Sequence, residues 1–206
     1  MEFLKTKTIT VVIFFSLFTT TIFSQTAVLK AFEKSYTLEK KGEYKKAVKE
    51  LKNVYDAKSY EINLRLGWLN YQAGVFTESV AHYQKAINLM PYSEEAKFGL
   101  IYPKSAIGKW SEVISLYKKI LSNSTNNTTE NYRIGLIYYG KKQYQTAYKY
   151  FNKVVNLYPF GYDGLIMLAW TNFQMGKTRE AKVLFNKVLM YSPNDKSALE
   201  GLALIK

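Results

Sequence analysis

Cysteine is absent from the 206 residues, and histidine occurs once, at His82. The first absence excludes disulfide scaffolds, thiolate zinc sites, iron–sulfur clusters and a cysteine nucleophile. The second leaves no imidazole cluster for a metal and no histidine to spare for a serine-type triad. Proline numbers 4 and glycine 11, too few for a collagen-like or low-complexity disordered chain. Arginine is scarce too, at Arg65, Arg133 and Arg179, although lysine and arginine together number 29 against 16 acidic residues. The formal charge of +13 invites an anionic surface or an acidic partner. Lysine lacks the bidentate fork that reads phosphate pairs and guanine edges, so this basicity argues against nucleic-acid recognition. Acidic residues are scattered or placed at helix starts, as at Glu94 and Glu95, and no pair stands out for acid–base work. Composition thus points away from an enzyme, and it calls for no cofactor and no metal.

One apolar run, residues 9–23, is interrupted by Thr10, Ser16 and Thr19 to Thr21 and follows Lys5 and Lys7. It is short of the roughly 20 apolar residues that a spanning helix needs. A basic start, an apolar middle and a small residue, Ser24, are the order of a secretory signal peptide. Residues 1–24 are therefore expected to be removed, leaving Gln25 at the mature N-terminus of an exported, periplasmic or extracellular protein. An uncleaved anchor or a buried helix is the alternative.

Self-comparison organises the remainder. Gly74, Gly108, Lys142 and Gly176 follow one another at intervals of 34 residues. In the same register stand Tyr83, Tyr117, Phe151 and Phe185, then Ala86, Ile120, Val154 and Val188, then Pro91, Thr125, Pro159 and Pro193. An earlier copy, with Gly42, Ala47, Leu51 and Val54 in the same columns, is two residues shorter. Units are expected at 28–59, 60–93, 94–127, 128–161 and 162–195, with 196–206 a terminal helix. Within each, apolar residues recur at helical spacing on both sides of a central break, as at Leu66, Leu69 and Ala73 before Gly74 and Val80, Tyr83, Ala86, Ile87 and Met90 after it. Ser93 and Asp195 are expected to cap the helices that follow them. A pair of such short helices cannot bury its apolar face alone, so neighbours must stack.

The run Leu66-Gly67, Tyr71, Gly74, Phe76, Tyr83, Ala86 and Pro91, with its successors, resembles the tetratricopeptide repeat (TPR) across residues 28–195. The resemblance implies an all-α fold: antiparallel helix pairs stacked into a right-handed superhelix, with a concave groove lined by each first helix. Two departures stand out. Lys34 and Ser35 occupy the place of Leu66-Gly67, so the first helix is expected to pack loosely. Pro103 falls inside a first helix, where it loses a hydrogen bond and is expected to bend it, with Gly99 easing the crowding.

Along the first helices runs a second stripe: Leu64, Trp68 and Tyr71; Phe98 and Tyr102; Tyr132, Leu136 and Tyr139; Ile166, Trp170 and Phe173, with Phe32 and Tyr36 in the earliest unit. Two placements are open for it, between units as core or facing the groove; the resemblance implies the groove. Arg65 and Arg133 lie beside the stripe and could meet carboxylates. The carboxylate clamp known in the family is not supported, because Arg65, Gly99, Arg133 and Met167 stand at its places. Gly135 to Lys142 mimics a phosphate loop but ends in Lys142 where a hydroxyl is required, and it follows a helix start. His82 has no companion at ligand spacing and is expected to be packed or solvated. The sequons at Asn123, Asn126 and Asn127 matter only in a eukaryotic secretory pathway. The functional expectation is a non-enzymatic scaffold that binds a segment of another protein in an aromatic groove. The rival is a module for an anionic glycan or membrane surface, using the same aromatics and the lysines of the outer face.

Overall fold

A helix pair closes when the chain turns back within a few residues, and the turns at the repeat spacing show how. In the computed structural model, which describes residues 25–123 and 125–205, Gly42, Gly74 and Gly176 adopt left-handed φ angles of 72°, 74° and 73°. Glycine enters this region without the steric penalty of a Cβ. The amide that follows then returns to the preceding helix, Val75 N–H to Asn70 O at 2.8 Å and Lys177 N–H to Asn172 O at 2.9 Å. Carbonyls orphaned at the helix end are thereby satisfied. Lys142 stands at the equivalent place with φ 57°, and Gln143 N–H still reaches Tyr138 O at 2.9 Å, so this turn forms without its glycine.

The chain divides into two compact units, the first ending at Gly108 and the second beginning at Lys109. The first unit contains α1 (25–40), α2 (Tyr44–Lys52), α3 (Tyr60–Gln72), α4 (Phe76–Leu89) and α5 (Glu94–Ala106). In the second are α6 (Trp110–Leu121), α7 (Thr128–Gly140), α8 (Tyr144–Leu157), α9 (Tyr162–Gln174), α10 (Thr178–Tyr191) and α11 (Lys196–Leu204). Among the described residues there is no strand, and no helix is long and apolar enough to cross a membrane. The expected signal segment, 1–24, lies outside the described residues. Local chemistry sets the helix starts: Ser59, Ser93 and Asp195 accept from the amides of Ile62, Ala96 and Ala198. Asn127, one of the sequon asparagines, caps α7 by accepting from Thr129 N–H.

Packing within each unit rests on an aromatic seated against glycine. The Tyr83 ring of α4 lies where a Cβ on Gly67 or Gly99 would be, 2.8 Å and 2.1 Å from its nearest ring carbon. Phe151 occupies the corresponding space at Gly135, and Phe185 that at Gly201 on the terminal helix. Gly99 thus makes room for Tyr83, and α5 continues through Pro103 to Ala106 as one helix. Ala47, Leu51, Ile62, Leu66 and Leu69 form the core of the first unit; Leu165, Ala169, Ala181, Phe185, Val188 and Ala198 form that of the second.

Three expectations need correction here. The first helix is not loosely held at Lys34–Ser35, because Ser35 is fully buried and its hydroxyl both donates to Phe32 O and accepts from Arg65 Nε. By helical spacing Leu199, Leu202 and Ile205 are expected to share one apolar face of α11, yet the buried face is Ala198 and Gly201, with Leu202 and Ile205 alongside, and Leu199 points outward. Ile166, expected in the groove stripe, is 7% exposed and belongs to the core. It joins the cluster of Ala181, Phe185, Val188 and Ala198, where α11 packs on α9 and α10 as α5 packs on α3 and α4.

Candidate functional site

Helices α1, α3 and α5 of the first unit place successive copies of the stripe side by side. Phe32 and Tyr36 from α1, Leu64, Arg65 and Trp68 from α3, and Phe98 and Tyr102 from α5 line one cavity of about 760 Å³. Seven of the sequence-designated residues therefore converge. Tyr60, Glu61, Tyr83, Met90, Glu95 and Gly99 complete the lining. Tyr36 and Tyr102 are about half exposed, at 50% and 51%. Trp68 meets Tyr102 edge to face with ring centroids 6.3 Å apart, and Tyr71 packs behind both, 5.9 Å from Trp68 and 5.5 Å from Tyr102. Tyr71 is thus a support of the wall and not part of the lining.

The polar frame of this cavity was not visible in the sequence. Glu39, near the end of α1, forms an ion pair with Arg65 Nη2 at 2.5 Å and accepts from the indole Nε1–H of Trp68 at 2.5 Å. Arg65 also lies 3.7 Å above the Tyr36 ring. One carboxylate therefore fixes both the cation and the indole, and the Arg65 charge is answered inside the protein. At the other side Tyr60 O–H shares a 2.7 Å hydrogen bond with Ser93 Oγ and donates to Glu95 Oε2 at 3.2 Å. Burial pushes the Tyr60 and Tyr83 phenols above their ordinary range, so both are neutral.

Residues designated in the second unit have a different setting. Trp170 is half-buried, stacks edge to face on Phe185 at 5.1 Å and donates from Nε1 to Ser197 Oγ of α11 at 2.8 Å. Phe173 packs against Trp170 at 5.6 Å, Tyr132 against Phe151 at 5.8 Å, and Tyr139 against Tyr144 at 5.3 Å. Arg133 is exposed on α7. Two cavities of about 440 Å³ in this unit are lined by other residues, among them Lys118, Tyr138, Lys141, Lys149, Tyr150 and Lys153.

His82 is buried and hydrogen-bonds Asn63 Oδ1 through Nδ1 at 3.0 Å, which makes Nδ1 the protonated nitrogen. Asn63 Nδ2 in turn donates to Ala57 O and Ser59 O, holding the loop before α3. Asn131 repeats this arrangement with Thr125 O and Asn127 O. Among the described residues no group of His, Asp or Glu is arranged to hold a metal ion.

Two family models described as tetratricopeptide repeat match the chain, at residues 131–160 and 162–195. No curated protein sequence matches it. Among solved structures, a tetratricopeptide repeat protein from Parabacteroides merdae is similar at 20% identity and a TM-score of 0.73, covering 87% of this chain and 72% of its own. A MamA protein gives 20% identity and 0.69, covering 80% and 91%. MamA from Desulfovibrio magneticus gives 17% and 0.68, covering 82% and 97%. At these identities the likeness is one of fold.

Proposed function

This chain belongs to the tetratricopeptide-repeat family, and on that premise we propose that it is a non-catalytic scaffold holding a segment of another protein in the aromatic cavity of its first unit. The observation that carries the reading is the convergence of Tyr36, Trp68, Phe98 and Tyr102 on an open cavity of about 760 Å³. Aromatic side chains offer large contact area with little entropy to lose, which is why they dominate the energetics of interfaces. The wall is set in advance: Glu39 fixes Trp68, and Tyr71 supports Trp68 and Tyr102. Preorganisation of this kind reduces the ordering cost of binding. The proposal includes export, with residues 1–24 as a removed leader, which N-terminal mass analysis of the native protein would check.

Tyr102 gives the cleanest test. It is half exposed, so Tyr102→Ala should melt close to wild type, whereas Trp68→Ala also removes an indole bonded to Glu39 and should cost stability as well. Leu100→Ala, at a position 1% exposed, serves as the packing control and should lose about 2–5 kcal/mol. Tagged chain is used to capture its partner from native cells, and the captured protein is then titrated. An anchoring aromatic carries about 2 kcal/mol, so Tyr102→Ala should weaken that complex about 30-fold. Unchanged affinity of a well-folded Tyr102→Ala would refute the groove.

A further inference from the structure

The mouth of the first unit's cavity is acidic, although the chain as a whole carries +13. Three lining residues bear a fixed charge: Arg65, Glu61 and Glu95. Arg65 is matched by Glu39 in a buried ion pair, so its charge is spent within the wall. Glu61 and Glu95 remain, both exposed. Each is held in place by one carboxylate oxygen: Glu61 Oε2 accepts from Ser59 Oγ at 3.0 Å, and Glu95 Oε2 accepts from Tyr60 O–H at 3.2 Å. Acids in the first turn of α3 and α5 also favour their own helices, but those helices start at the cavity. The helix-starting acids therefore face whatever enters it.

Aromatic rings line the same cavity. Tyr36 already accepts a guanidinium on one face, 3.7 Å from its centroid, which shows the wall to be compatible with a cation. Trp68 and Tyr102 present further rings beside it. An acidic segment would meet two like charges and an arginine already neutralised. A basic side chain would meet two oriented carboxylates in a cavity that also offers electron-rich rings.

We propose that the partner segment presents a lysine or arginine among apolar side chains, with the apolar residues entering the aromatic cavity and the cation received between Glu61 and Glu95. This rests on the groove reading above and adds the partner's charge to it. Opposite charges steer association and exclude wrong partners more than they raise affinity.

The test uses a phage-displayed library of random twelve-residue peptides, selected on the full chain and on Glu61→Gln/Glu95→Gln, Glu61→Lys/Glu95→Lys and Tyr102→Ala. Selection on wild type should enrich lysine or arginine next to apolar or aromatic residues. A synthetic winner should lose about two- to fivefold per neutralised carboxylate, so about tenfold for the double Gln variant. Its affinity should fall with added salt. The double Lys variant should enrich acidic peptides instead, and circular dichroism should report unchanged helix content in each variant. Winners without basic residues, or winners that bind the double Gln variant equally well, overturn the charge inference and leave the groove standing if Tyr102→Ala abolishes binding. No enrichment, or winners indifferent to Tyr102→Ala, remove the groove reading and this inference with it. Dimers of the chain that dissolve on Tyr102→Ala but persist in the double Gln variant would place a second copy there by apolar contact, and overturn it likewise.

Discussion

Glu39→Ala removes one carboxylate and strands two groups at once. Arg65 has 8% of its side chain exposed and Glu39 23%, so the pair is largely shielded from water on the arginine side and partly wetted on the other. Removing one partner of a fully buried pair costs about 3–5 kcal/mol, because the remaining charge stays desolvated. Water can approach from the Glu39 side, and Ser35 Oγ still accepts from Arg65 Nε at 3.3 Å, so a loss of about 2–3 kcal/mol is expected here. The Trp68 indole N–H loses its acceptor in the same step. For a chain of this size, each kcal/mol moves the melting temperature by about 2–4 °C, which places the shift near 4–12 °C. Repeat arrays need not unfold in one step, so thermal melts should be paired with hydrogen exchange read over α1 and α3. Protection there should fall, while α9 and α10 exchange as in wild type. Glu39→Gln, which keeps an acceptor but no charge, should fall between. The double variant Glu39→Leu/Arg65→Met should recover much of the loss, because an apolar pair of similar volume has no charge to strand. A melting temperature for Glu39→Ala within about 1 °C of wild type, with unchanged exchange, would refute the reasoning.

Gly99→Ala should destabilise the first unit by about 1–3 kcal/mol, the usual cost of overpacking, because its Cβ would fall 2.1 Å from the Tyr83 ring. Gly99→Ala combined with Tyr83→Leu should be less destabilised, in urea titration, than the two single losses added together. His82 supplies a pH dependence: burial, with Lys85 adding to it, lowers its pKa, so the unfolded chain binds the proton more readily than the fold does. Stability should therefore be full above about pH 6.5 and decline as the pH falls below it, until the folded form also protonates. As His82 is the only histidine, His82→Gln should flatten urea midpoints measured between about pH 7 and 5.5, and a slope that persists would assign the effect elsewhere.

Periodic features were legible in the sequence, and singular ones were not. Helix pairs, the left-handed turns at Gly74 and Gly176 and the caps at Ser93 and Asp195 recur in one register, so each copy reinforces the others. Glu39 is a contact made once, from a first helix that departs from the repeat, and no spacing announces that it will meet residues 26 and 29 positions away. Ser35 read as a breach of the pattern because its partner, Arg65, lies in another helix. Ile166 belonged by spacing to the same stripe as Trp68, yet it packs into the core of the second unit whereas Trp68 lines the cavity of the first. Stripe position is therefore a property of the helix, whereas access is decided by its neighbours. The copy in α1, α3 and α5 lines the cavity of the first unit.

The ties described above are all short in sequence: Tyr60 and Glu95, joined by a side-chain hydrogen bond, stand only 35 positions apart. Chains dominated by local contacts fold fast, on the microsecond-to-millisecond scale. Synthesis is far slower, at about 5–20 residues per second. The first unit, complete by Gly108, can therefore close while the second is still being made. For a protein exported as proposed here, that turns folding into a race: a transport route that takes only unfolded chain must engage the leader before α1 to α5 have emerged. Slowing the first unit would then favour export, and the tight Glu39 brace would work against it until the chain has crossed.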